Sequence, residues 1–208
     1  MSFRKEIKYR VSSRDLLRIK GELLNRGLGQ LYPSRWIHST YFDTHDLDNY
    51  RDSEEGLLPR KKIRIRNYSS DSTYLMETKI SSTEGRYKKS EKMFKSDAVR
   101  MLKKGSSLIL GGRSVRPSLN VCYNRWYGKI NGVRCTFDSG ISYSNPRVSK
   151  IFAVSDPECV IEFKCPESFN EDFINEMVDL LPSRFSKYCR GITMIYQNKR
   201  NDGQQIHY

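Results

Sequence analysis

The sequence is poor in the residues that usually hold metals and has no apolar run long enough to cross a membrane. Its 208 residues include five cysteines and three histidines. The cysteines are never spaced as C-x-x-C and the histidines form no i, i+4 pair, so no disulfide framework or zinc site is predicted. The apolar runs fall far short of the roughly 18 residues that a transmembrane helix needs. The N-terminus is too charged for a signal peptide, and we therefore expect a cytoplasmic protein.

Acidic residues are also in deficit, and this charge imbalance is informative. There are 37 Lys and Arg residues against 24 Asp and Glu, which gives a formal net charge of +13. Such an excess favours a polyanionic partner. Hydrophobic residues at 37% and aromatic residues at 12% are typical of a globular chain and exclude wholesale disorder.

The apolar patterns predict an α+β protein dominated by antiparallel strands. Three helices are expected, from Ser12 or Ser13 to Gly27, from Ser96 to Gly105, and from Asn170 to Pro182. Period-two alternation predicts strands near 3–11, 37–43, 60–68, 73–80, 86–95, 119–128, 132–138, 150–154, 158–164 and 192–198. Because no linker interrupts this pattern, we expect one domain over residues 1–198 and a polar tail over 199–208.

The alternation leaves one face of several strands charged. Arg64 and Arg66 share a face, whereas Ile63 and Ile65 lie on the other. A solvated face with cross-strand ion pairs is one interpretation. If the strands close into a barrel with these faces inward, the interior is a charged tunnel. Ten basic side chains would then share the interior with four acidic ones, and a chain of phosphates would neutralise this excess of positive charge. The basic residues are Lys8, Arg64, Arg66, Lys79, Lys88, Arg125, Arg134, Lys164, Arg184 and Lys187. The acidic residues are Glu6, Glu77, Asp138 and Glu162.

A series of ordered motifs resembles a known family. The motifs are Arg4-x-Glu6-x-Lys8-Tyr9, Ser39-Thr40-Tyr41-Phe42-Asp43-Thr44, Arg64-x-Arg66, Leu75-Met76-Glu77-x-Lys79, Tyr123-Asn124-Arg125, Arg134-x-Thr136-x-Asp138, Val160-Ile161-Glu162-x-Lys164 and Phe185-Ser186-Lys187-Tyr188. In this order they resemble the triphosphate tunnel metalloenzymes (CYTH superfamily), and more closely the VTC domain, the catalytic domain of polyphosphate polymerases. The resemblance runs from about Phe3 to Met194.

The resemblance implies a closed antiparallel β-barrel of about eight strands with a few flanking helices, and a basic tunnel that binds ATP and inorganic polyphosphate or pyrophosphate with Mn²⁺ or Mg²⁺. The implied catalytic residues are Arg64, Arg66, Lys79, Arg125, Arg134 and Lys187. The implied phosphate-binding residues are Lys8, Lys88, Tyr123, Lys164, Arg184 and Ser186. Glu162 is the implied metal ligand, with Glu6 and Glu77 as helpers. On the strand after Lys79, Arg86, Lys88 and Lys89 all remain possible, and we choose Lys88.

The expected function is a polyphosphate polymerase that transfers the γ-phosphoryl group of ATP to a growing chain. One alternative is a tripolyphosphatase or nucleoside triphosphatase of the same fold. Arg4 argues against it, because the hydrolytic relatives usually carry a glutamate there. Another alternative is a non-catalytic polyanion-binding module. The glutamates that recur among the basic residues argue against it, because they would repel a polyanion. No nucleic-acid partner is expected. The chain has no predicted membrane span of its own, so any coupling to transport would need a separate membrane partner.

Overall fold

The computed structural model describes residues 4–110, 112–148, 152–166 and 172–197; for Arg4, Phe173, Met177 and Gln197 only the backbone is considered. Part of the strand predicted at 150–154 and all of the tail predicted at 199–208 lie outside the described residues. The chain divides into two compact units. Unit 1 comprises residues 1–36, 123–141 and 156–185, and unit 2 comprises residues 37–122, 142–155 and 186–208.

Ten strands within the described residues form most of the fold. They are β1 (Arg4–Val11), β2 (Gly29–Asp43), β3 (Arg60–Tyr68), β4 (Tyr74–Ser82), β5 (Gly85–Met93), β6 (Leu108–Leu110), β7 (Arg113–Ile130), β8 (Val133–Ser144), β9 (Val154–Ser155) and β10 (Cys159–Pro166). The hydrogen-bonded order is β1-β10-β8-β7-β2-β3-β4-β5, with β6 beside β7 and β9 beside β8. The ladders β1–β10, β10–β8, β2–β3, β3–β4 and β4–β5 are antiparallel. The predicted antiparallel α+β class is therefore confirmed.

The path of paired strands begins at β1 and ends at β5. Over the ranges that the structure describes, no ladder joins these two strands. The sheet is open in its hydrogen bonding, and closure into a barrel is not shown.

Five α-helices occur in the described part of the chain, two more than the sequence predicts. They are α1 (Ser13–Asn25), α2 (Asp48–Glu55), α3 (Lys95–Leu102), α4 (Asp172–Met177) and α5 (Lys187–Ile192). The Ser12 hydroxyl caps α1 by accepting a hydrogen bond from the Asp15 backbone N–H. None of the described helices is long and apolar enough to be a membrane-spanning segment.

The strand predicted near 192–198 is wrong. The chain there forms the end of α5 and a π-helical turn at Thr193–Gln197. Tyr188, Ile192 and Ile195 are buried, a spacing of three to four residues that matches a helical period rather than the period of two seen in strands. Ser186 starts α5 because its hydroxyl accepts a hydrogen bond from the Cys189 backbone N–H.

The hairpin between β7 and β8 follows the predicted Asn131-Gly132 turn. Asn131 has a φ of 45° and Gly132 a φ of 81°. Two consecutive residues in this left-handed region make the turn type that fits the twist of a tight hairpin. The register set by this turn matters for function, because it determines which side chains of β7 and β8 share a face.

In both units one face of the sheet is apolar and covered by a helix. In unit 1, Leu16, Ile19 and Leu23 of α1 pack against Tyr9 and Phe163. In unit 2, the apolar cluster contains Phe42, Ile63, Ile65, Ala98 and Val115. Because side chains alternate across a strand, the residues between these apolar positions lie on the opposite face, and those are the charged residues of the predicted site.

Candidate functional site

In unit 1, two lysines and two glutamates of neighbouring strands form a ring of alternating charge. The β1–β10 register places Lys8 opposite Glu162 and Glu6 opposite Lys164. Lys164 Nζ lies 3.4 Å from Glu6 Oε1 and 3.3 Å from Glu162 Oε1, and Lys8 Nζ lies 3.9 Å from an oxygen of each glutamate. We call Glu6, Lys8, Glu162 and Lys164 the lysine–glutamate ring.

Glu162 is the buried member of this ring, with 8% of its surface exposed. Burial raises its pKa, but the charges of Lys8, Lys164 and Arg125 outweigh burial and hold the pKa below its ordinary value. Glu162 is therefore ionised at neutral pH. It presents carboxylate oxygens next to two ammonium groups, an arrangement that can accept a divalent cation together with the phosphates of a substrate.

Arg125 is fixed beside the ring by Asp138. Its Nε donates to Asp138 Oδ1 at 2.5 Å and its Nη2 donates to Oδ2 at 2.6 Å. Asp138 has no exposed surface, and the guanidinium also lies 5.3 Å from the centre of the Tyr123 ring. Burial lowers the pKa of Arg125, but Asp138 reverses this and raises it well above its usual range. Arg125 is a permanent cation of fixed orientation.

In unit 2, Glu77 lies among three cations. Arg64 Nη2 and Nε are 2.6 and 2.7 Å from Glu77 Oε2, and Arg66 Nη1 is 3.7 Å from the same atom. Lys88 Nζ pairs with Glu77 Oε1. Burial raises the pKa of Glu77, but these cations dominate and lower it to about 2. We call Tyr41, Arg64, Arg66, Glu77 and Lys88 the arginine cluster.

Tyr41 is a sensitive indicator of the positive field in this cluster. Its side chain is buried, with 7% of the residue exposed, and its hydroxyl accepts a hydrogen bond of 2.9 Å from Arg64 Nη1. Burial raises the pKa of Tyr41, yet Arg64 and Arg66 together lower it to about 8. Positive charge therefore exceeds what Glu77 neutralises, which is the condition for binding an anion.

A row of lysines extends this basic face across three strands. Lys62 of β3 is opposite Lys79 of β4, and Lys79 is opposite Lys88 of β5. Like charges directly opposite each other are unfavourable unless an anion is present. At one end of the row, Lys62 Nζ donates to Ser186 Oγ at 2.9 Å, so the loop before α5 lies against β3.

The remaining predicted residues lie at accessible positions. Arg134 of β8 is opposite Lys164 in the ladder and is exposed. Arg184 is exposed, and Lys187, the first residue of α5, is half-buried. In the same loop, Phe185 O accepts a hydrogen bond from Lys8 Nζ at 3.5 Å.

The three predicted metal ligands do not form one group. Glu6 and Glu162 belong to the lysine–glutamate ring, whereas Glu77 belongs to the arginine cluster. Within the described ranges, no cluster of three or more acidic, histidine or cysteine side chains is suited to a metal ion. Two carboxylates completed by phosphate oxygens still suit Mg²⁺ or Mn²⁺, so Glu6 and Glu162 fit such an ion. Glu77 does not fit it, because its oxygens already bind three cations.

Sequence reasoning missed several polar residues of these clusters. Lys62, Tyr41 and Ser39 were not assigned roles, although Ser39 Oγ accepts a hydrogen bond from Arg66 Nε at 3.1 Å. The strand alternation could have identified Lys62, because residues 62 and 64 lie on the same face of β3. The same alternation could have identified Tyr41, because residues 39, 41 and 43 share one face of β2. Tyr188 pairs with the buried Asp43, a contact between residues 145 apart that no local pattern indicates.

The chain matches the model of the VTC domain over residues 3–196. The chain belongs to the VTC-domain family. The resemblance noted from the motifs is therefore confirmed. No curated protein sequence matches this VTC domain.

Several solved structures share the fold of this VTC domain at low sequence identity. A candidate adenylate cyclase from Bacillus halodurans is 13% identical, with a TM-score of 0.60 over 93% of this chain and 98% of that one. The PH1012 protein from Pyrococcus horikoshii is 14% identical, with a TM-score of 0.58 over 90% of this chain and 99% of that one. A candidate adenylyl cyclase from Hippeastrum with a dominant triphosphatase activity is 14% identical, with a TM-score of 0.55 over 93% of this chain and 97% of that one. These likenesses show that the three proteins share the fold of this chain.

Proposed function

We propose that this VTC domain is a polyphosphate polymerase that transfers the γ-phosphoryl group of ATP to the end of an inorganic polyphosphate chain. The γ-phosphorus would lose its bond to the ADP oxygen and form a bond to a terminal oxygen of the chain. ADP leaves and the chain grows by one phosphate. That residues 1–198 form one functional domain, as the sequence predicts, is part of this proposal.

The observation that carries the proposal is the composition of the arginine cluster, in which Arg64, Arg66 and Lys88 all contact the one buried carboxylate of Glu77. A neutral or balanced cluster would raise the pKa of a buried phenol. The pKa of Tyr41, lowered to about 8, agrees with an excess of positive charge that a chain of phosphates would neutralise. Arg64 and Arg66 supply most of this charge, and Lys62, Lys79 and Lys88 extend it along a row.

The geometry suits a reaction that needs position and charge more than proton transfer. The attacking terminal phosphate is already anionic, so a general base is unnecessary. Arg64 and Arg125 are held in fixed orientations by Glu77 and Asp138. Cations that are oriented before substrate binds require little reorganisation during phosphoryl transfer, which is how such sites lower the barrier.

The metal belongs to the same proposal. Glu162 would hold Mn²⁺ or Mg²⁺ with help from Glu6, and the ion would neutralise charge on the transferring phosphoryl group. Lys8 and Lys164 lie beside these carboxylates. We infer that they bind the phosphate oxygens that complete the coordination of the ion.

The experiment is incubation of the purified protein with ATP and Mn²⁺, with and without pyrophosphate primer, followed by separation of the products by length on a gel. A ladder of chains together with ADP is the expected result. Arg64→Ala should reduce turnover by about 10²-fold or more, because a preorganised donor is lost. Arg100→Ala is the matched control, because Arg100 is exposed and pairs with Asp97 on α3. Binding of tripolyphosphate without any turnover of ATP would contradict the polymerase and favour a binding module.

A second candidate, a triphosphatase, is favoured by the paired carboxylates of Glu6 and Glu162 and by the activity of the Hippeastrum relative. In that reaction water attacks the terminal phosphorus, and orthophosphate appears without chains. The same gel separates the two functions. Orthophosphate and ADP alone would refute the polymerase.

A further inference from the structure

Unit 2 contains a cavity of about 500 Å³ that shares no residue with the arginine cluster. Its wall comes from the end of α3 and the segment after it, from the start of β7, from the turn after β8 and from His45, which follows β2. The lining residues are His45, Leu102, Lys103, Lys104, Gly105, Ser106, Ser107, Ser114, Arg116, Pro117, Pro146 and Arg147. This volume is within the range of small-molecule sites.

The lining carries charge of one sign. Lys103, Lys104, Arg116 and Arg147 contribute four cations, and the described residues that line the cavity include no aspartate or glutamate. Asp46 acts on Arg116 from outside this lining. Arg116 and Arg147 are both half-buried. Cations that are partly removed from water without an acidic partner in the wall cost free energy, which a bound anion would recover.

The electrostatic effect on Arg116 agrees with this arrangement. Burial and the positive charge of Arg147 lower the pKa of Arg116, and Tyr196 and Asp46 offset this only in part. The two guanidinium groups therefore repel each other. Such a pair is common where one multivalent anion lies between two forks, because each guanidinium can donate two parallel hydrogen bonds to phosphate oxygens.

We propose that this cavity is a second anion site, one that binds a short oligophosphate group. Four cations suit an anion with several negative charges, such as tripolyphosphate or the phosphates of a nucleotide. Ser107 and Ser114 add exposed hydroxyls that can donate to phosphate oxygens. A pocket of about 500 Å³ fits a small anion better than an extended polymer, which would need a long groove. The proposal does not depend on the function proposed for the arginine cluster.

The test is calorimetric titration of the whole chain with tripolyphosphate at constant ionic strength, with sulfate as the competing anion. Two classes of site are expected in the parent protein. The double variant Arg116→Gln/Arg147→Gln should lose one class or bind it at least about tenfold more weakly. The matched control Arg113→Gln/Lys95→Gln removes two exposed cations outside the cavity lining and should keep both classes. Titration with ATP then shows whether a nucleoside is accepted beside the phosphates.

Each outcome supports or overturns the proposed second anion site. Loss of one class only in the Arg116→Gln/Arg147→Gln variant supports the second site, and it should occur equally in an Arg64→Ala background. Unchanged binding in that variant would overturn the proposal. A single class in the parent would overturn it as well if Arg116→Gln/Arg147→Gln leaves that class unaffected. Without ligand, the melting temperature of the variant should be unchanged or higher, because repulsion is removed. A lower melting temperature would show that the two arginines support the fold, and would also overturn it.

Discussion

Neutralising the Glu77 carboxylate tests the charge balance of the arginine cluster quantitatively. Its pKa is lowered from 4.5 to about 2, which corresponds to about 3 kcal/mol of folding free energy at about 1.4 kcal/mol per pKa unit. Because the pKa is lower in the folded state, this stabilisation is present above pH 4.5 and is lost as the pH falls towards 2. Linkage predicts that about 2 kcal/mol of it has disappeared by pH 3.

Glu77→Gln keeps the shape of the side chain and removes the charge that Arg64, Arg66 and Lys88 share. At pH 7 the free energy of unfolding should fall by about 3 kcal/mol, the usual cost of leaving buried cations without their partner. Urea unfolding at pH 7 and at pH 3 measures this difference, which should shrink at the lower pH. Added tripolyphosphate should restore part of the lost stability.

The control is Glu91→Gln, because Glu91 is exposed and pairs with the exposed Lys89 on β5. Its effect should stay within about 0.5 kcal/mol, as for other surface changes. A loss below about 1 kcal/mol for Glu77→Gln at pH 7 would refute the assigned coupling. A loss that is equal at both pH values would refute it as well, because the carboxylate charge would then not be its source.

Three further changes follow from the structure. Ultraviolet titration should show one tyrosine ionising near pH 8 and Tyr41→Phe should abolish that step; a step that persists in the variant would contradict the assignment. Gly191→Ala should destabilise unit 2 by about 1–3 kcal/mol, because the added Cβ would lie 2.5 Å from Tyr143 Cδ1. In the control Gly21→Ala in α1, the added Cβ meets nothing within 4 Å, and this variant should not be destabilised. Equal melting temperatures for the two variants would refute the contact. Ser186→Ala should cost about 1 kcal/mol through loss of the α5 cap, and unchanged urea unfolding would count against that cap.

Local patterns were enough to predict most of the secondary structure. The strand over Arg60–Tyr68 alternates cleanly and forms as expected, and the Asn131-Gly132 turn joins β7 to β8. The region 192–198 misled the prediction because its apolar residues fit both periods over a short stretch. Burial of Ile192 and Ile195 against the rest of unit 2 selected the helical period.

The sequence by itself determined which side chains share a face, because the period of a strand is fixed by its backbone. It therefore predicted that Arg64 and Arg66 act together and that Lys8 lies with Glu6. Tertiary structure decided the partners across strands, because register depends on pairing between distant segments. It placed Glu77 beside three cations and Asp138 beside Arg125. The field that lowers the pKa of Tyr41 exists only after those strands have been brought together.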